Sequence, residues 1–269
     1  MNDTIKHQVT HRSIRKFKDE PLTDAQLDAI LDAASHTPTY TFLQAASIIG
    51  ITDKEQQKAI ASICKQPYVA ECGYLFIVVA DLHRDVQIAE AQGVTPAGMD
   101  RAERFFPTFY DATLMTMNMV TAVESMGLGC VILGSINNDM QAMIDLLNLP
   151  PYTFPCLGLA VGVPAQEPAL KPRLPRSVTF MENTYQPLMH PLEDLADYDA
   201  IVHEYYDLRD TTNPVDTFTA QMAERIGTAA TASPSMLEIL QKQGFLKKWW
   251  AIPQTVQTVW GIFSKTNSI

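Results

Sequence analysis

A short basic segment near the start of the chain holds the densest group of side chains that could bind an anion. Residues 11–17 read HRSIRKF and offer two guanidinium groups, an ammonium group, an imidazole and a hydroxyl. Such groups form charge-assisted hydrogen bonds with phosphate, and arginine can form two in parallel. Because side chains alternate along an extended chain, one side of the segment would carry His11, Ser13, Arg15 and Phe17. The alternative is a basic turn that faces solvent, as most runs of charge do.

A second basic segment, residues 171–175, reads KPRLP and carries two cations two residues apart. Its prolines restrict the backbone and disfavour helix, so the segment is expected to be extended and stiff. Lys171 and Arg173 could then contact the same anion as the first segment, from the other side. The two segments together favour a phosphate site over two unrelated solvent-exposed turns.

The sequence lacks the common motifs for hydrolysis, metal binding and phosphate-loop nucleotide binding. Neither GxGxxG nor GxxxxGK[ST] occurs, and no Ser-His-Asp set or metal-binding spacing is visible. The cysteines form no CxxC pair and are expected to be reduced thiols in or near the core.

The strands that would carry these segments are predicted from runs of apolar residues. These runs span residues 47–52, 74–80, 130–133 and 156–163. The run at 74–80 is continuous and of strand length, which is typical of a central strand covered on both faces.

Capping residues and periodic apolar positions predict helices around the strands. Thr23 with Gln26 forms a capping box ahead of a buried stripe made of Leu27, Ile30, Leu31 and Ala34. Asn138 with Gln141 is predicted to cap another helix. Residues 81–104 are polar and contain glycine and proline, so they are expected to form a mobile excursion near the pocket.

Residues 108–126 predict a helix with apolar or small residues on almost every side. A helix without a clear polar face is usually buried. Because a single domain rarely encloses a helix so completely, part of this helix is expected to lie at a subunit interface.

Composition excludes several classes of function. The chain has 269 residues, of which 46% are apolar and 19% charged, as in an ordinary globular protein. Its formal charge of -10 argues against nucleic acid or an anionic membrane surface as the main partner. No apolar run approaches the length of a membrane span, and no signal peptide is visible, so a cytoplasmic location is expected.

Several stretches together resemble the family of oxygen-insensitive nitroreductases and flavin reductases, in its larger, NADPH-preferring branch. The matching residues are HRSIRKF at 11–17, TFLQAASIIGITD at 41–53, AVESMGLGCVILGSINN at 122–138, GLAVGVPAQEPALKPRLPRSVTFMENTYQP at 158–187, and EYY followed by an arginine at 204–209. HRSIR alone is a weak signal, whereas HRSIR and KPRLP in this order are specific.

The resemblance implies an α+β fold of the nitroreductase type. A mixed, mostly antiparallel central sheet would be flanked by helices, and two chains would form an intertwined homodimer. Residues 1–246 would form the FMN-binding domain. Residues 247–269 have no counterpart in the family and contain all three tryptophans, so they are predicted to be a separate C-terminal tail.

The resemblance also implies how charged residues bind FMN. The phosphate would be held by His11, Ser13, Lys171 and Arg173. Arg12 would help or would pair with the partner chain. Arg15 would stabilise negative charge on the reduced flavin.

The remaining cofactor contacts implied by the resemblance come from Thr39, Gln66, Ile132, Leu133, Gly134 and Ser135. Thr39 stands in a loop that is rich in serine in the family, and Ser135 replaces the second of two glycines. Gln66 would contact the flavin ring through its amide, and a solvent-facing turn is the alternative for this residue. Thr41 and Arg209 would contact substrates, with Arg209 a candidate for the extra phosphate of NADPH.

The function implied is that of an NAD(P)H-dependent nitroreductase or flavin reductase. NADPH or NADH would deliver a hydride to FMN and leave, after which a nitroaromatic, a quinone or free flavin would take two electrons at the same place. The expected partners are a second copy of the chain and small-molecule electron acceptors. The alternative is a non-catalytic FMN-binding or redox-sensing protein on the same scaffold.

Overall fold

The computed structural model describes residues 1–209, 216–228 and 234–247, and of residues 206–209 it describes the backbone alone. The described residues divide into two compact units. The first unit contains residues 1–168 and 234–247, and the second contains residues 169–209 and 216–228.

Four strands form one sheet in the first unit. They are β1 (Ala46–Ile51), β2 (Tyr74–Asp81), β3 (Gly129–Leu133) and β4 (Thr153–Gly162). Their order in the sheet is β1-β2-β4-β3. Each of the three strand pairs is antiparallel, and β2 lies between β1 and β4 as its apolar sequence predicts. The predicted α+β fold with a mostly antiparallel sheet is confirmed.

Eleven α-helices occur in the described residues. In chain order they are α1 (Asp3–Val9), α2 (Asp24–Ser35), α3 (Lys54–Cys64), α4 (His83–Ala91), α5 (Ala102–Ser125), α6 (Met140–Leu146), α7 (Arg176–Thr179), α8 (Pro191–Asp194), α9 (Ala196–Arg209), α10 (Phe218–Gly227) and α11 (Met236–Lys242). Two short 3₁₀ helices, Pro67–Ala70 and Gly134–Asp139, follow α3 and β3.

The sheet is covered on both faces because β2 alternates its apolar side chains between them. Phe76 and Val78 belong to a core cluster that includes residues of α2 and α5. Leu75 and Ile77 belong to a second cluster that includes residues of α3 and α6. The strand is therefore buried on both sides, as a continuous apolar run predicts.

Some predicted details of the helices are confirmed and others are wrong. Thr23 and Gln26 form the predicted capping box at the start of α2. Ile30 is buried on this helix, but Leu31 is exposed. Residues 81–104, predicted as an excursion, contain helix α4, on which Val86 is buried, and the start of α5.

The cap of α6 is one residue later than predicted. Asp139 accepts a hydrogen bond from the backbone N–H of Ala142, at 3.0 Å. The side chain of Asn138 instead donates to the carbonyl oxygens of Ile63 and Cys64, each at 3.3 Å. Asn138 thus ties the start of α6 to the end of α3 rather than capping its own helix.

Helix α5 begins earlier than predicted and leaves an apolar stripe exposed. It starts at Ala102 and contains Pro107 inside its second turn. Its buried side carries the core residues, while the exposed stripe, spaced by three or four residues, consists of Phe106, Tyr110, Leu114 and Met117. Each of these four side chains is between 44% and 50% exposed. Contiguous apolar surface of this kind marks interaction sites.

The second unit has a small core of its own. Leu195, Tyr198 and Val202 are buried together, and Phe218 of α10 packs on Tyr198 with ring centroids 5.3 Å apart. Asp199 joins the same two helices, because its carboxylate accepts hydrogen bonds from the N–H and hydroxyl of Thr219.

The first basic segment is fixed to the free edge of the sheet in the first unit. Ser13 forms a parallel bridge with Cys130 of β3, and the Ile14 N–H donates to the Cys130 carbonyl at 2.9 Å. Ile14 is buried against Gly129. A methyl group on Gly129 would lie 2.7 Å from Cγ1 and 2.9 Å from Cβ of Ile14, which is closer than packing allows.

Gly129→Ala should therefore destabilise the protein by about 1–3 kcal/mol, the usual cost of overpacking a core. Urea unfolding of ligand-free protein measures this change. Gly134→Ala is the matched control, because its added methyl group meets no heavy atom within 4 Å. Equal unfolding midpoints for the two variants would contradict the packing of residues 11–17 described here.

Candidate functional site

Three residues predicted to bind the cofactor meet around one tyrosine in the first unit. The hydroxyl of Tyr68 donates to Oε1 of Gln66 at 2.5 Å, and the hydroxyl of Ser135 donates to the same oxygen at 3.2 Å. Arg15 lies close enough to the Tyr68 hydroxyl for its charge to act on that group. Arg15, Gln66 and Ser135 thus lie together although they are far apart in the sequence. Tyr68 was not predicted as a site residue.

The backbone of Gln66 is held between two helices. Lys65 ends α3 in the left-handed conformation, with φ of 54°, and Gln66 begins the 3₁₀ helix that follows. The Gln66 N–H donates to the carbonyl of Ala61, and the Gln66 carbonyl accepts from the N–H of Val69. The predicted turn is therefore confirmed, and it places the Gln66 side chain beside Ser135.

Burial changes the ionisation of two groups in this cluster. Burial raises the pKa of the Tyr68 phenol, and the hydrogen bond and charge of Arg15 act against this rise. Burial also raises the pKa of the Cys64 thiol, and a hydrogen bond with Ser135 acts against it. Tyr68 and Cys64 are therefore neutral hydrogen-bonding groups at physiological pH.

The end of β3 gives the cluster an open side. Ile132 is 38% exposed, Leu133 is buried, and Gly134 begins the 3₁₀ helix that carries Ser135. A methyl group built on Gly134 would meet no heavy atom within 4 Å. The chain therefore leaves space at this glycine, where a flat ligand can approach the backbone closely.

The predicted phosphate ligand His11 and its neighbour Arg12 both have partners within the first unit. Nδ1 of His11 lies 2.5 Å from Oε1 of Glu124 on α5, which leaves the other ring nitrogen for a ligand. Nε of Arg12 donates to the carbonyl of Pro168 at 2.8 Å. Glu124 was not predicted, and its place in a largely apolar helix is the signal that could have found it.

A buried carboxylate holds the loop that carries Thr39 and Thr41. Asp111 of α5 is 2% exposed; its Oδ1 accepts from the N–H of Tyr40 at 2.8 Å and its Oδ2 from the N–H of Ala45 at 3.2 Å. Both oxygens are thus satisfied by backbone of this loop. A single aspartate in an apolar helix is again the signal that could have found this contact.

Lys171 and Arg173 belong to the second unit and line a cavity of about 290 Å³ there. Arg225 of α10 adds a third cation to the wall, and Tyr198 and Phe218 supply apolar surface. The cavity therefore joins positive charge to aromatic surface. The side chain of Arg209 and residues 248–269 lie outside the part of the chain that the structure describes.

The side chains that could ligate a metal are dispersed over the part of the chain that the structure describes. The described residues contain no group of three or more acidic, histidine or cysteine side chains placed to hold a metal ion. The cysteines are free and buried, as predicted, and burial raises the pKa of each thiol. No helix of residues 1–209, 216–228 or 234–247 could span a membrane.

The comparisons with known proteins identify the family. The profile described as "Nitroreductase family" matches residues 9–163, and that described as "Nitroreductase family, C-terminal domain" matches residues 171–248. The chain belongs to the nitroreductase family. The resemblance found in HRSIRKF and KPRLP is confirmed.

Named members of the family align with almost the whole chain. The chain is 39% identical over 246 residues to the oxygen-insensitive NADPH nitroreductase of Salmonella typhimurium, and the alignment covers 91% of this chain and 99% of the relative. It is 37% identical over 253 residues to an NADPH-dependent oxidoreductase of Staphylococcus aureus, covering 92% of this chain and 100% of the relative.

Solved structures of the family have the same fold. NfrA1 of B. megaterium matches with a TM-score of 0.86 and 36% identity, over 91% of this chain and 100% of NfrA1. The NADPH:FMN oxidoreductase of Vibrio harveyi, solved in complex with NAD+, matches with a TM-score of 0.82 and 31% identity, over 92% of this chain and 100% of that enzyme.

Asp111→Asn tests the attachment of the loop. An asparagine side chain keeps one oxygen acceptor but turns an NH₂ group toward one of the two backbone N–H donors, so a buried donor loses its partner. The free energy of unfolding should fall by about 1–3 kcal/mol. Urea unfolding of ligand-free protein measures it, with the exposed Asp28→Asn on α2 as control. No difference between the two variants would contradict the role given to Asp111.

Proposed function

We propose that this protein is an FMN-dependent oxidoreductase that transfers two electrons from NAD(P)H to nitroaromatics, quinones or free flavin. The observation that carries the proposal is the cluster of Arg15, Gln66 and Ser135 beside the open backbone of Gly134, in a member of the nitroreductase family. The names of the relatives, an NADPH nitroreductase and an NADPH:FMN oxidoreductase, support it.

The residues of the cluster fit FMN in their chemistry. Arg15 and the Gln66 amide can donate hydrogen bonds, which suits a ring whose edge carries carbonyl oxygens and ring nitrogens. Gly134 leaves the space that a flat ring needs at the end of β3. The cations of residues 11–15 and of the KPRLP segment suit a phosphate. This is a donor-rich, cationic site on a chain of net charge -10.

Each predicted residue then has a defined task. His11, Ser13, Lys171 and Arg173 would hold the phosphate, with Arg12 fixing the course of the first segment. The ring would lie among Thr39, Gln66, Ile132, Leu133, Gly134 and Ser135. Bound FMN supplies the redox chemistry, accepting a hydride and passing on two electrons. Arg15 would stabilise the negative charge that reduction places on the ring, which favours two-electron transfer.

The two substrates would react in turn at one open site, in a ping-pong mechanism. No dinucleotide-binding motif is visible in the sequence, and nicotinamide and acceptor would share one place. Thr41, in the loop fixed by Asp111, would contact substrates. Arg209 would contact the additional phosphate of NADPH.

We further propose that the protein is a homodimer in the cytoplasm. The exposed stripe of α5, from Phe106 to Met117, is apolar surface suited to a second copy of the chain. Four free cysteines are those expected in a reducing compartment. Dimer formation would cover part of α5, as the apolar sequence of residues 108–126 predicts.

Anaerobic reduction of the FMN-loaded protein tests the function. NADPH or NADH should bleach the flavin absorbance, and a nitroaromatic, a quinone or free flavin should restore it. Stoichiometric FMN binding without reduction by either nicotinamide would favour a redox-sensing or binding role instead. A preparation that does not bind FMN would contradict the proposal.

Arg15→Ala should weaken FMN binding or slow reduction by NADPH, because it removes the cation nearest the predicted ring. A loss of roughly 10-fold in either quantity is expected for a charge-assisted hydrogen bond. Fluorescence titration and stopped-flow reduction measure the two effects. Lys18→Ala, a cation exposed to solvent just beyond the segment, is the matched control. Unchanged binding and unchanged reduction would remove this role from Arg15.

Gly134→Ala should lower FMN affinity without altering the stability of ligand-free protein. The chain leaves the added methyl group free of contacts, so only a ligand lying against this backbone can clash with it. Equilibrium dialysis with FMN and urea unfolding without it measure the two quantities. Wild-type affinity for FMN would place the flavin ring elsewhere.

A further inference from the structure

The side-chain oxygen of Gln66 accepts hydrogen bonds from two hydroxyl groups. Tyr68 and Ser135 both donate to Oε1, at 2.5 and 3.2 Å, and Nε2 forms no hydrogen bond with another described residue. Gln66 is half-buried, so its NH₂ group is the part of the amide left for a ligand. A free glutamine amide can rotate and offer either its oxygen or its nitrogen.

The hydrogen atoms of the neighbouring groups allow one arrangement. Tyr68 has a single hydroxyl hydrogen, and it points to Oε1 of Gln66. The charge of Arg15, a residue with donors alone, also acts on the Tyr68 hydroxyl, so Arg15 offers this hydrogen no acceptor. If the amide rotated, Nε2 would face both Tyr68 and Ser135, and the two hydroxyl hydrogens would lose the acceptor that they share.

The hydroxyl of Ser135 approaches the same oxygen from a different part of the chain. It donates to Oε1 of Gln66 at 3.2 Å, across 69 residues of sequence. Two hydroxyl donors, those of Tyr68 and Ser135, therefore end on one carbonyl oxygen.

We infer that Tyr68 and Ser135 are positioning residues that lock the Gln66 amide with its NH₂ group toward the ligand, so that this position selects a hydrogen-bond acceptor on the flavin ring. The inference rests on the proposed function and adds the polarity of the contact. The serine that replaces a glycine of the family pattern then has a task of its own. It supplies the second donor that fixes the amide.

Replacing Gln66 by two other residues tests the polarity. Gln66→Ala removes the contact and should weaken FMN binding roughly 3- to 10-fold, the value of one hydrogen bond. Gln66→Glu keeps the oxygen that Tyr68 and Ser135 approach but places a carboxylate oxygen where the NH₂ group was. It should weaken binding more than Gln66→Ala, because two acceptors then face each other.

The charge of FMN requires a control in the same experiment. Glutamate also repels the phosphate of FMN, so riboflavin, which lacks it, is titrated in parallel. The order wild type, Gln66→Ala, Gln66→Glu should hold for both flavins, and Gln92→Glu, an exposed glutamine after α4, should match the wild type. Binding of riboflavin by Gln66→Glu at wild-type affinity or tighter would overturn the inference, because the ligand would then be offering a donor.

A double-mutant cycle tests whether Tyr68 acts through Gln66. Tyr68→Phe should weaken FMN binding roughly 3- to 10-fold and shift the absorption bands of the bound flavin. In the Gln66→Ala background the same change should have little effect, since the group it orients is gone. Equal effects in both backgrounds would overturn the positioning role while leaving FMN binding intact. Failure of the wild type to bind FMN would overturn the proposed function and this inference together.

Discussion

The candidate site depends on the attachment of residues 11–17 to the free edge of strand β3. One bridge, between Ser13 and Cys130, and the packing of Ile14 on Gly129 fix the course of this segment. The strand that receives it ends at Leu133, immediately before Gly134, so the segment is attached to the strand that leads to this open backbone. Without this attachment, nothing would hold the exposed cation of Arg15 beside Tyr68.

The first unit divides its polar groups between structure and ligand. Asp111 and Glu124 lie in a mainly apolar helix, where they hold the loop at Tyr40 and the ring of His11. Their acceptors are used within the protein, whereas Arg15 and the NH₂ group of Gln66 are donors. A site made of donors selects an electron-rich, anionic ligand, and this is the physical basis for proposing a flavin mononucleotide.

The sequence predicts best those structural features that are determined by residues close together in the chain. The capping box of Thr23 and Gln26 and the apolar run of β2 depend on spacing within a few residues, and both were found. Helix α4 was missed because its sequence is polar, and what attaches it is the burial of Val86 and the hydrogen bonds of Arg84 with Ser47 and Gln44, which are distant in sequence. The contact of Ser135 with Gln66 joins positions 69 residues apart, so neither residue indicates the other in the sequence. The family resemblance supplied these site residues, and the structure supplied Tyr68 between them.

Under the proposed function, residues 11–15 and the backbone of Gly134 hold one flavin mononucleotide. A crystal structure of the FMN-loaded protein tests this most directly. It should show density for one FMN per chain, with the phosphate on residues 11–13 and the ring against Gly134 and Gln66. FMN found elsewhere, or a phosphate that does not contact residues 11–13, would contradict the proposed site.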